Sequence, residues 1–277
     1  MSLTLMYITN NTKVAAIAQA AGVDRIWVDM EYIGKEERQG GMDTVKSHHT
    51  IEDIKAIRQV VTTSQLMVRI NPIHEKVNGS LGTEDEIEQT IRAGADVIML
   101  PYFKTAEEVE RFVHAVNGRA TTMILVETET AVEHLDDILS VPGIDEVHIG
   151  LNDLHLCRNQ KFMFELVCDG TVRQICEKVK AKGIKYGFGG IARVGLGMLP
   201  AEYIITEHYA VGSTAAILSR GFCAANMVSN PAEIEQVFID GIKNIRAKEA
   251  EVAQYTKQQY AENLEEIKRR VDVIVHK

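Results

Sequence analysis

Two carboxylates that could share a cation site follow consecutive apolar runs of the sequence. Glu127 lies near the end of the run TMILVET (122–128), and Asp153 comes just after EVHIGL (146–151). If these runs are neighbouring strands of a parallel sheet, both carboxylates reach one site. Two carboxylates plus waters are the oxygen ligands that hard divalent cations such as Mg²⁺ prefer, with positions left for substrate oxygens. The alternative is local structure, with Glu129 as a helix N-terminal charge and Asp153 as a turn or capping residue.

A charged residue, Arg69, lies near the end of the otherwise apolar run LMVRIN (66–71). A buried guanidinium needs a partner, and its fork of donors suits a substrate carboxylate or an enolate oxygen. The run WVDME places Trp27, Asp29 and Glu31 on one face by alternation. These two acids could neutralise Arg69, or they could orient a base or a metal-bound water. The two interpretations of Arg69 are compatible with each other.

Weaker candidates follow other runs. Gly189 in GFGG and Ser213 in the final GS could lie beside backbone N–H groups that bind an anion, or could serve only tight packing. Lys104 precedes the helix start TAEE, so we expect a solvated lysine rather than a Schiff-base nucleophile. For the pair His48 and His49, the pattern favours a helix start over a mobile acid or base.

The elements that must position these residues alternate along the chain. Short apolar runs rich in β-branched and aromatic residues are separated by amphipathic helical patterns, such as 105–116 and 130–140. Eight alternations, with no dinucleotide-binding fingerprint after the first run, favour an α/β fold with a closed (β/α)₈ TIM barrel over an open doubly wound sheet. The predicted strands cover residues 3–9, 25–30, 66–71, 97–103, 122–128, 146–151, 185–191 and 209–213.

Two segments lie outside this alternation. Residues 31–50 form a long charged loop after the second strand, and such loops are often functional, although disorder is the alternative. The tail carries apolar residues at helical spacing after the barrel has closed, including Ile234, Val237, Ile242 and Ile245. We therefore predict a catalytic barrel domain over residues 1–230 and a helical extension over 231–277. The extension would form a subunit contact or cap the barrel.

Composition and charge exclude several classes of partner. The 277 residues carry a formal net charge of −9, so nucleic acid and anionic lipid, which need clustered positive charge, are not expected partners. The sequence contains no apolar stretch long enough to span a membrane and no secretory signal pattern, so we expect a cytoplasmic protein. Its 4 cysteines lack zinc-site spacing and are expected to be reduced.

The segment that contains both carboxylates also resembles a known family. The run VETETAVEHLDDILSVPGIDEVHIGLNDL (126–154) is similar to the motifs of the HpcH/HpaI aldolase and citrate lyase family. These motifs are a strand-end Glu, a helix, VPGID, and a strand that ends in IGPxDL. DRIWVDME (24–31), VRIN and GADVIMLPYFKTAEEVE (94–110) resemble the family's second, third and fourth strand units. The resemblance extends over most of residues 5–220.

The resemblance implies a TIM barrel that binds Mg²⁺ or Mn²⁺ through Glu127 and Asp153. It implies that Arg69 and the backbone amides around Asn152 and Asp153 hold a 2-keto acid. It also implies a homo-oligomer, here a trimer or a hexamer, in which C-terminal helices are exchanged between subunits. The implied reactions are aldol cleavage to pyruvate and, in the citrate lyase branch, lysis of acyl-CoA esters.

This chain departs from the aldolase pattern at two positions. Tyr32 stands where the aldolases usually carry the histidine proposed as their base, and Leu125 stands where they often carry Gln. We predict a metal-dependent carbon–carbon lyase that acts on 2-keto acids through a pyruvate enolate. The alternatives are a citrate-lyase-like acyl-CoA lyase and, favoured by Tyr32, a non-catalytic barrel that binds metal and keto acid. The predicted catalytic residues are Arg69, Glu31 and Tyr32, and the predicted substrate-binding residues are Arg69, Asn152, Asp153, Gly189 and Ser213.

Overall fold

Eight parallel strands close into a single barrel in chain order, with the last strand hydrogen-bonded to the first. The computed structural model describes residues 2–34, 49–77, 81–225 and 230–276. The predicted (β/α)₈ TIM barrel is confirmed. The strands are β1 Thr4–Ile8, β2 Arg25–Asp29, β3 Gln65–Arg69, β4 Val97–Leu100, β5 Thr121–Val126, β6 Glu146–Ile149, β7 Lys185–Ile191 and β8 Ala215–Leu218.

Helices follow the strands and cover the outside of the barrel. Three of them begin with a capping box, at Thr50, Thr105 and Thr256, in which the threonine and the residue three positions later satisfy each other's backbone N–H. The helices in the described ranges are α1 Thr12–Ala20, α2 Ile51–Val60, α3 Thr83–Arg92, α4 Ala106–Val116, α5 Glu129–Glu133, α6 Leu135–Ile138, α7 Leu151–Cys157, α8 Glu165–Cys168, α9 Thr171–Ala181, α10 Ala201–Val211, α11 Pro231–Val252 and α12 Lys257–Val275.

Side-chain alternation along the strands divides the core into two layers. One layer lies between the sheet and the helices and holds most of the buried aliphatic residues. The other layer fills the barrel. At the N-terminal end of the barrel, Arg25 donates two hydrogen bonds, of 2.5 and 2.7 Å, to the buried Glu146 carboxylate. The interior layer consists of Met6, Trp27, Met67, Val97, Met99, Met123, Leu125 and Ala215.

The eighth strand lies further along the chain than the sequence pattern predicts. Residues 209–211 are the last turn of α10, and Gly212, with φ of 77°, ends that helix. The run YAVGS was therefore wrongly predicted as a strand, because its apolar residues serve a helix that packs on the sheet. Ser213 consequently precedes β8 and lies at the N-terminal end of the barrel, opposite the predicted site.

Helix α11 takes the place of the eighth barrel helix. It follows β8 and packs against α1 and α10, while α12 packs against α10 and α8. The predicted boundary at residue 230 therefore separates β8 from its own helix. The apolar stripe that suggested a subunit contact is largely used within the chain, since Ile234, Ile242 and Ile245 are each at most 5% exposed.

Two further expectations concern the chain as a whole. All four cysteines are free thiols, as predicted. None of the helices in the described ranges combines the length and apolar composition that crossing a membrane requires. The charged loop predicted after β2 falls mostly on residues 35–48, which lie outside the described residues.

Candidate active site

The two predicted metal ligands lie at adjacent strand ends on the C-terminal face of the barrel. Glu127 follows β5 directly and is 3% exposed, and Asp153, in the first turn of α7 after β6, is 5% exposed. The strands β5 and β6 are hydrogen-bonded neighbours, with Val126 opposite Ile149. The placement agrees with the sequence pattern, and the role of both residues as metal ligands stays a prediction.

Glu127 packs closely against Gly150, which has no side chain to hinder it. A Cβ atom at Gly150 would lie 2.7 Å from Glu127 Cβ and 2.8 Å from its Oε2, so a side chain there would displace the carboxylate. Two buried carboxylates that follow adjacent strands are oxygen donors of the kind that a hard divalent cation binds. Within the described ranges, no group of three or more His, Cys, Asp or Glu residues is arranged to hold a metal ion. Glu127 and Asp153 would therefore need water or substrate oxygens to complete the coordination.

Arg69, at the end of β3, is held by the two acids of the β2 end. Its guanidinium donates to both oxygens of Asp29, at 2.7 and 2.9 Å, and lies 3.2 Å from Glu31 Oε2. Its Cζ atom also lies 4.9 Å from the ring centroid of Trp27. Burial alone would lower the pKa of Arg69, but the neighbouring carboxylates raise the pKa above its ordinary value. The predicted pairing of Arg69 with these acids is confirmed, and contact with a substrate remains compatible with it.

Asn71 fixes the segment that carries Glu31 and Tyr32. Its Oδ1 accepts the backbone N–H groups of Tyr32 and Ile33, both at 3.0 Å, and its amide donates to buried Glu86 at 2.8 Å. Burial raises the pKa of the Glu86 carboxyl. The sequence pattern had not assigned a role to Asn71, although a polar residue after the apolar run VRI was a visible signal.

Tyr32 and His49, two residues considered as an acid or base, lie in different surroundings. The side chain of Tyr32, predicted to be catalytic, is 56% exposed. His49 lies just before the N-cap of α2, and its Nδ1 accepts the backbone N–H of Asp29 at 3.0 Å. The Trp27 carbonyl accepts the backbone N–H of Thr9, the residue just after β1. Asp29 lies two residues further along β2, so its N–H points in the same direction, beyond the end of β1. His49 therefore lies at the barrel mouth, and His48 lies outside the described residues.

The remaining predicted substrate-binding residues differ in their placement. Asn152 is exposed in the first turn of α7. Gly189 has φ of 50° within β7, and its carbonyl lies 3.2 Å from Nε2 of His148, inside the barrel. Ser213 lies at the other end of the barrel, with its Oγ 2.7 Å from His208 Nδ1. The inclusion of Ser213 in the site was wrong, because it rested on the misplaced eighth strand.

Two charged residues near the mouth have surface roles. Arg158 donates to both carboxylate oxygens of Glu129, at 2.6 and 3.0 Å. Lys104 is exposed, and its backbone N–H donates to Glu108 at the start of α4. The exposed Lys104 agrees with the sequence analysis, and Glu129 lies in the first turn of α5, as the local alternative for that residue predicted.

Tyr102, after β4, is a neighbour of Glu127 that the sequence pattern did not indicate. Its backbone N–H donates to Glu127 Oε1 at 3.0 Å. Its φ of 50° places it in the left-handed region, which L-residues with bulky side chains rarely adopt. No sequence rule predicts this conformation for a tyrosine.

The sequence of this chain is similar to a known family and to named enzymes. The sequence profile of the HpcH/HpaI aldolase/citrate lyase family matches residues 3–186. The 2-keto-3-deoxy-L-rhamnonate aldolase of Escherichia coli (strain K12) is 25% identical over 171 residues, which are 51% of this chain and 56% of that enzyme. The enzyme of the same name from Shigella sonnei (strain Ss046) matches with the same figures. The chain thus spans about half the length of these curated relatives.

Solved structures share the fold at low sequence identity. The HpcH/HpaI aldolase from Desulfitobacterium hafniense DCB-2 has a TM-score of 0.59 and 16% identity, covering 88% of this chain and 93% of that one. The citrate synthase SbnG has a TM-score of 0.62 and 18% identity, covering 85% and 94%. From its closed barrel and the profile match over residues 3–186, the chain belongs to the HpcH/HpaI aldolase/citrate lyase family.

Proposed function

We propose that the protein is a carbon–carbon lyase of the aldolase type that acts on a 2-keto acid and uses Mg²⁺ or Mn²⁺ bound by Glu127 and Asp153. The observation that carries the proposal is the pair of buried carboxylates at adjacent strand ends, on the barrel face that also presents Arg69. Family membership and the curated aldolase relatives support the same class of reaction.

The charge balance at the mouth supports a bound cation. Two acids hold Arg69, and its pKa also responds to the charge of Glu127. Among the described residues, the four buried carboxyl groups of Asp29, Glu31, Glu127 and Asp153 outnumber the one guanidinium paired with them, that of Arg69, while Arg158 pairs with Glu129 instead. An anionic 2-keto acid would be repelled by this excess of acid unless a divalent cation offset it. When bound, such a cation would act as a Lewis acid toward the keto oxygen.

Arg69 would bind and orient the substrate anion. Its bonds to Asp29 and its contact with Trp27 fix the plane of the guanidinium, so its donors are oriented before substrate arrives. A fixed guanidinium can stabilise the negative charge that develops on the enolate oxygen when the carbon–carbon bond breaks. Met99 and Leu125, in the interior layer, make the barrel core apolar.

The proton acceptor decides which reactions the site supports. Aldol cleavage requires a base for the β-hydroxyl proton, and a neutral phenol such as that of Tyr32 is a poor proton acceptor. Decarboxylation of oxaloacetate has no such proton to remove. We therefore expect decarboxylation to be supported even where aldol cleavage is weak. The base for aldol cleavage would be Glu31, or His49 once its Nδ1 releases the Asp29 N–H.

Metal affinity and pyruvate release test the proposal together. Calorimetry with Mn²⁺ on the parent, Glu127→Gln and Asp153→Asn should show binding in the parent and its loss in both variants, because one carboxylate cannot dehydrate a hard cation. Glu129→Gln is the matched control, since that acid is paired with Arg158 and should leave affinity unchanged. Oxaloacetate decarboxylation, aldehyde panels with pyruvate, and acyl-CoA esters are then assayed with Mn²⁺.

The outcomes separate the candidate functions. Metal-dependent turnover of acyl-CoA esters without aldol activity would favour the citrate-lyase-like alternative. Metal and pyruvate binding without any turnover would favour a binding barrel, which the exposed Tyr32 side chain makes a specific alternative. Unchanged Mn²⁺ affinity in both carboxylate variants would refute the metal site.

A further inference from the structure

The conformation of Tyr102 stands out among the non-glycine residues. In the described part of the chain, three of them have positive φ, namely Asn117, Asn159 and Tyr102. Asparagine adopts the left-handed region at low cost because its short polar side chain bonds locally. Tyrosine has no such compensation, so its surroundings must impose the conformation.

Contacts on both sides of Tyr102 provide that constraint. Phe103 is 1% exposed, and its carbonyl accepts the Thr128 hydroxyl at 2.9 Å. Pro101, also buried, leads out of β4 with a restricted φ. Two residues after Phe103, the Thr105 capping box begins α4. The segment is therefore fixed before and after the strained residue.

The left-handed backbone conformation of Tyr102 determines the direction of its N–H group. This N–H donates to Glu127 Oε1 at 3.0 Å. Bonds from an N–H group to a carboxylate are among the strong hydrogen bonds of proteins. With Oε1 held on the β4 side, Oε2 lies on the β6 side, 2.8 Å from the position of a Gly150 Cβ. The β6 end is also the one that leads to Asp153.

We propose that Tyr102 is a positioning residue, whose left-handed backbone fixes the Glu127 carboxylate in the orientation that directs Oε2 toward the Asp153 side. The inference rests on the proposed function, because the orientation of the Glu127 carboxylate matters for function only if this carboxylate binds a metal ion. The phenol ring is not required for this role, since the backbone N–H makes the contact. The side chain and the backbone conformation can therefore be tested separately.

Three substitutions separate these contributions. Tyr102→Gly and Tyr102→Asn remove the ring but tolerate the left-handed region, whereas Tyr102→Val removes the ring and strongly disfavours that region. By calorimetry with Mn²⁺, we expect the Gly and Asn variants to bind within about threefold of the parent. Tyr102→Val should bind about tenfold more weakly, since the left-handed penalty turns the N–H away from Glu127.

A second readout does not depend on metal. The unfolding equilibrium constants of the metal-free protein are measured for Tyr102→Val and Tyr102→Gly, each with and without Glu127→Leu. If the N–H positions Glu127, the unfolding equilibrium constant of Tyr102→Val divided by that of Tyr102→Gly should fall by about threefold or more when Glu127 is replaced. The reason is that the hydrogen bond between the Tyr102 N–H and Glu127 is then absent from both variants.

Equal Mn²⁺ affinities of the Val and Gly variants, with an unchanged ratio in the metal-free cycle, would overturn the inference. Loss of affinity in the Gly and Asn variants as well would assign the effect to the ring instead, and would also contradict it. If the parent does not bind Mn²⁺ at all, the proposed metal site fails, and the metal-free cycle alone decides the role of Tyr102.

Discussion

Arg69 combines a structural contact with a position suited to chemistry. Its bidentate bond to Asp29 and its contact with Glu31 satisfy a buried cation, which would otherwise be costly. The same contacts hold the guanidinium at the face where Glu127 lies. A purely structural Arg69 and an Arg69 that also binds substrate therefore predict different turnover in a lysine variant, which keeps the positive charge but loses the fork of N–H donors.

Arg69→Lys should lower turnover by roughly tenfold to a thousandfold, because an ammonium cannot reproduce bidentate contact with a carboxylate or an enolate. Arg25→Lys is the matched control, since Arg25 makes an equivalent bidentate pair with Glu146 at the opposite end of the barrel. The control should lose stability without losing turnover of the folded fraction. Nearly full activity in Arg69→Lys would make the arginine purely structural.

The ring of His49 contacts the Asp29 backbone at the barrel mouth. If His49 exchanges its bond to the Asp29 N–H for the β-hydroxyl proton, His49→Gln should lower aldol cleavage by about a hundredfold or more while sparing oxaloacetate decarboxylation. His134→Gln, on the exposed surface beyond α5, should change neither rate. Steady-state assays of both reactions measure the difference, and an equal loss of both activities would contradict the assignment.

At the scale of elements, the C-terminal helices belong to the barrel more closely than the sequence suggested. Phe238 of α11 is fully buried and makes edge-to-face contacts with Tyr7 of β1 and with Phe222, at centroid distances of 4.8 and 5.4 Å. Arg246 joins the same helix to Asp24 at 2.9 Å. Helix α11 therefore closes the helical layer between α10 and α1.

Phe238→Ala should lower the free energy of unfolding by about 3–5 kcal/mol, the usual cost of emptying a buried aromatic site. Glu235→Ala, on the same helix, is the control because the Glu235 side chain is exposed. Its effect should stay within about 0.5 kcal/mol. Urea denaturation of both variants measures the difference, and similar small effects would show that α11 contributes little to the fold.

At the scale of the whole molecule, two buried neutral histidines link stability to pH. Burial lowers the pKa of His148 to about 4 and, with the nearby charge of His148, lowers the pKa of His208 to about 3. In the unfolded chain both titrate near 6.5. Below that pH the unfolded chain takes up protons that the folded protein does not, so this contribution to stability is complete above pH 6.5 and declines as the pH falls toward 4.

The free energy of unfolding should therefore fall by about 1 kcal/mol per histidine per pH unit between pH 6 and pH 4.5. Burial raises the pKa of Glu86 and Glu207, which acts in the opposite direction. The variants His148→Gln and His208→Gln isolate the histidine contribution from the acids. Urea titrations at several pH values should show a shallower pH dependence in both variants, and an unchanged slope would contradict it.

The oligomeric state remains a prediction, and its basis has changed. The tail residues that suggested a subunit contact are mostly buried within the chain, so an interface must use other apolar side chains, such as Ile239, Met198 and Val273, which are at least 45% exposed. We expect a trimer or a hexamer in light scattering. A monomer at micromolar concentration would refute self-association, and substitution of Ile239 and Val273 by Lys would test these surfaces.

Local sequence patterns were sufficient for most elements and for the identity of the acidic residues. Capping at Thr50 and Thr105, and the apolar runs that became β1 to β7, depend on interactions a few residues apart, so they can be predicted from the sequence alone. Glu127, Asp153 and Arg69 were also found from their place after such runs, because parallel strands bring their carboxyl ends to one face.

Closure of the barrel determined the remaining elements and contacts, which local sequence patterns could not predict. Whether YAVGS forms a strand or a helix end depends on which segment pairs with β1, about 210 residues away in the sequence, and the pairing chose residues 215–218. That choice removed Ser213 from the site and made α11 the eighth helix. The contacts of His49 with Asp29 and of Tyr102 with Glu127 likewise join segments about 20 and 25 residues apart. Such contacts depend on strand register and loop path, which only the folded chain fixes.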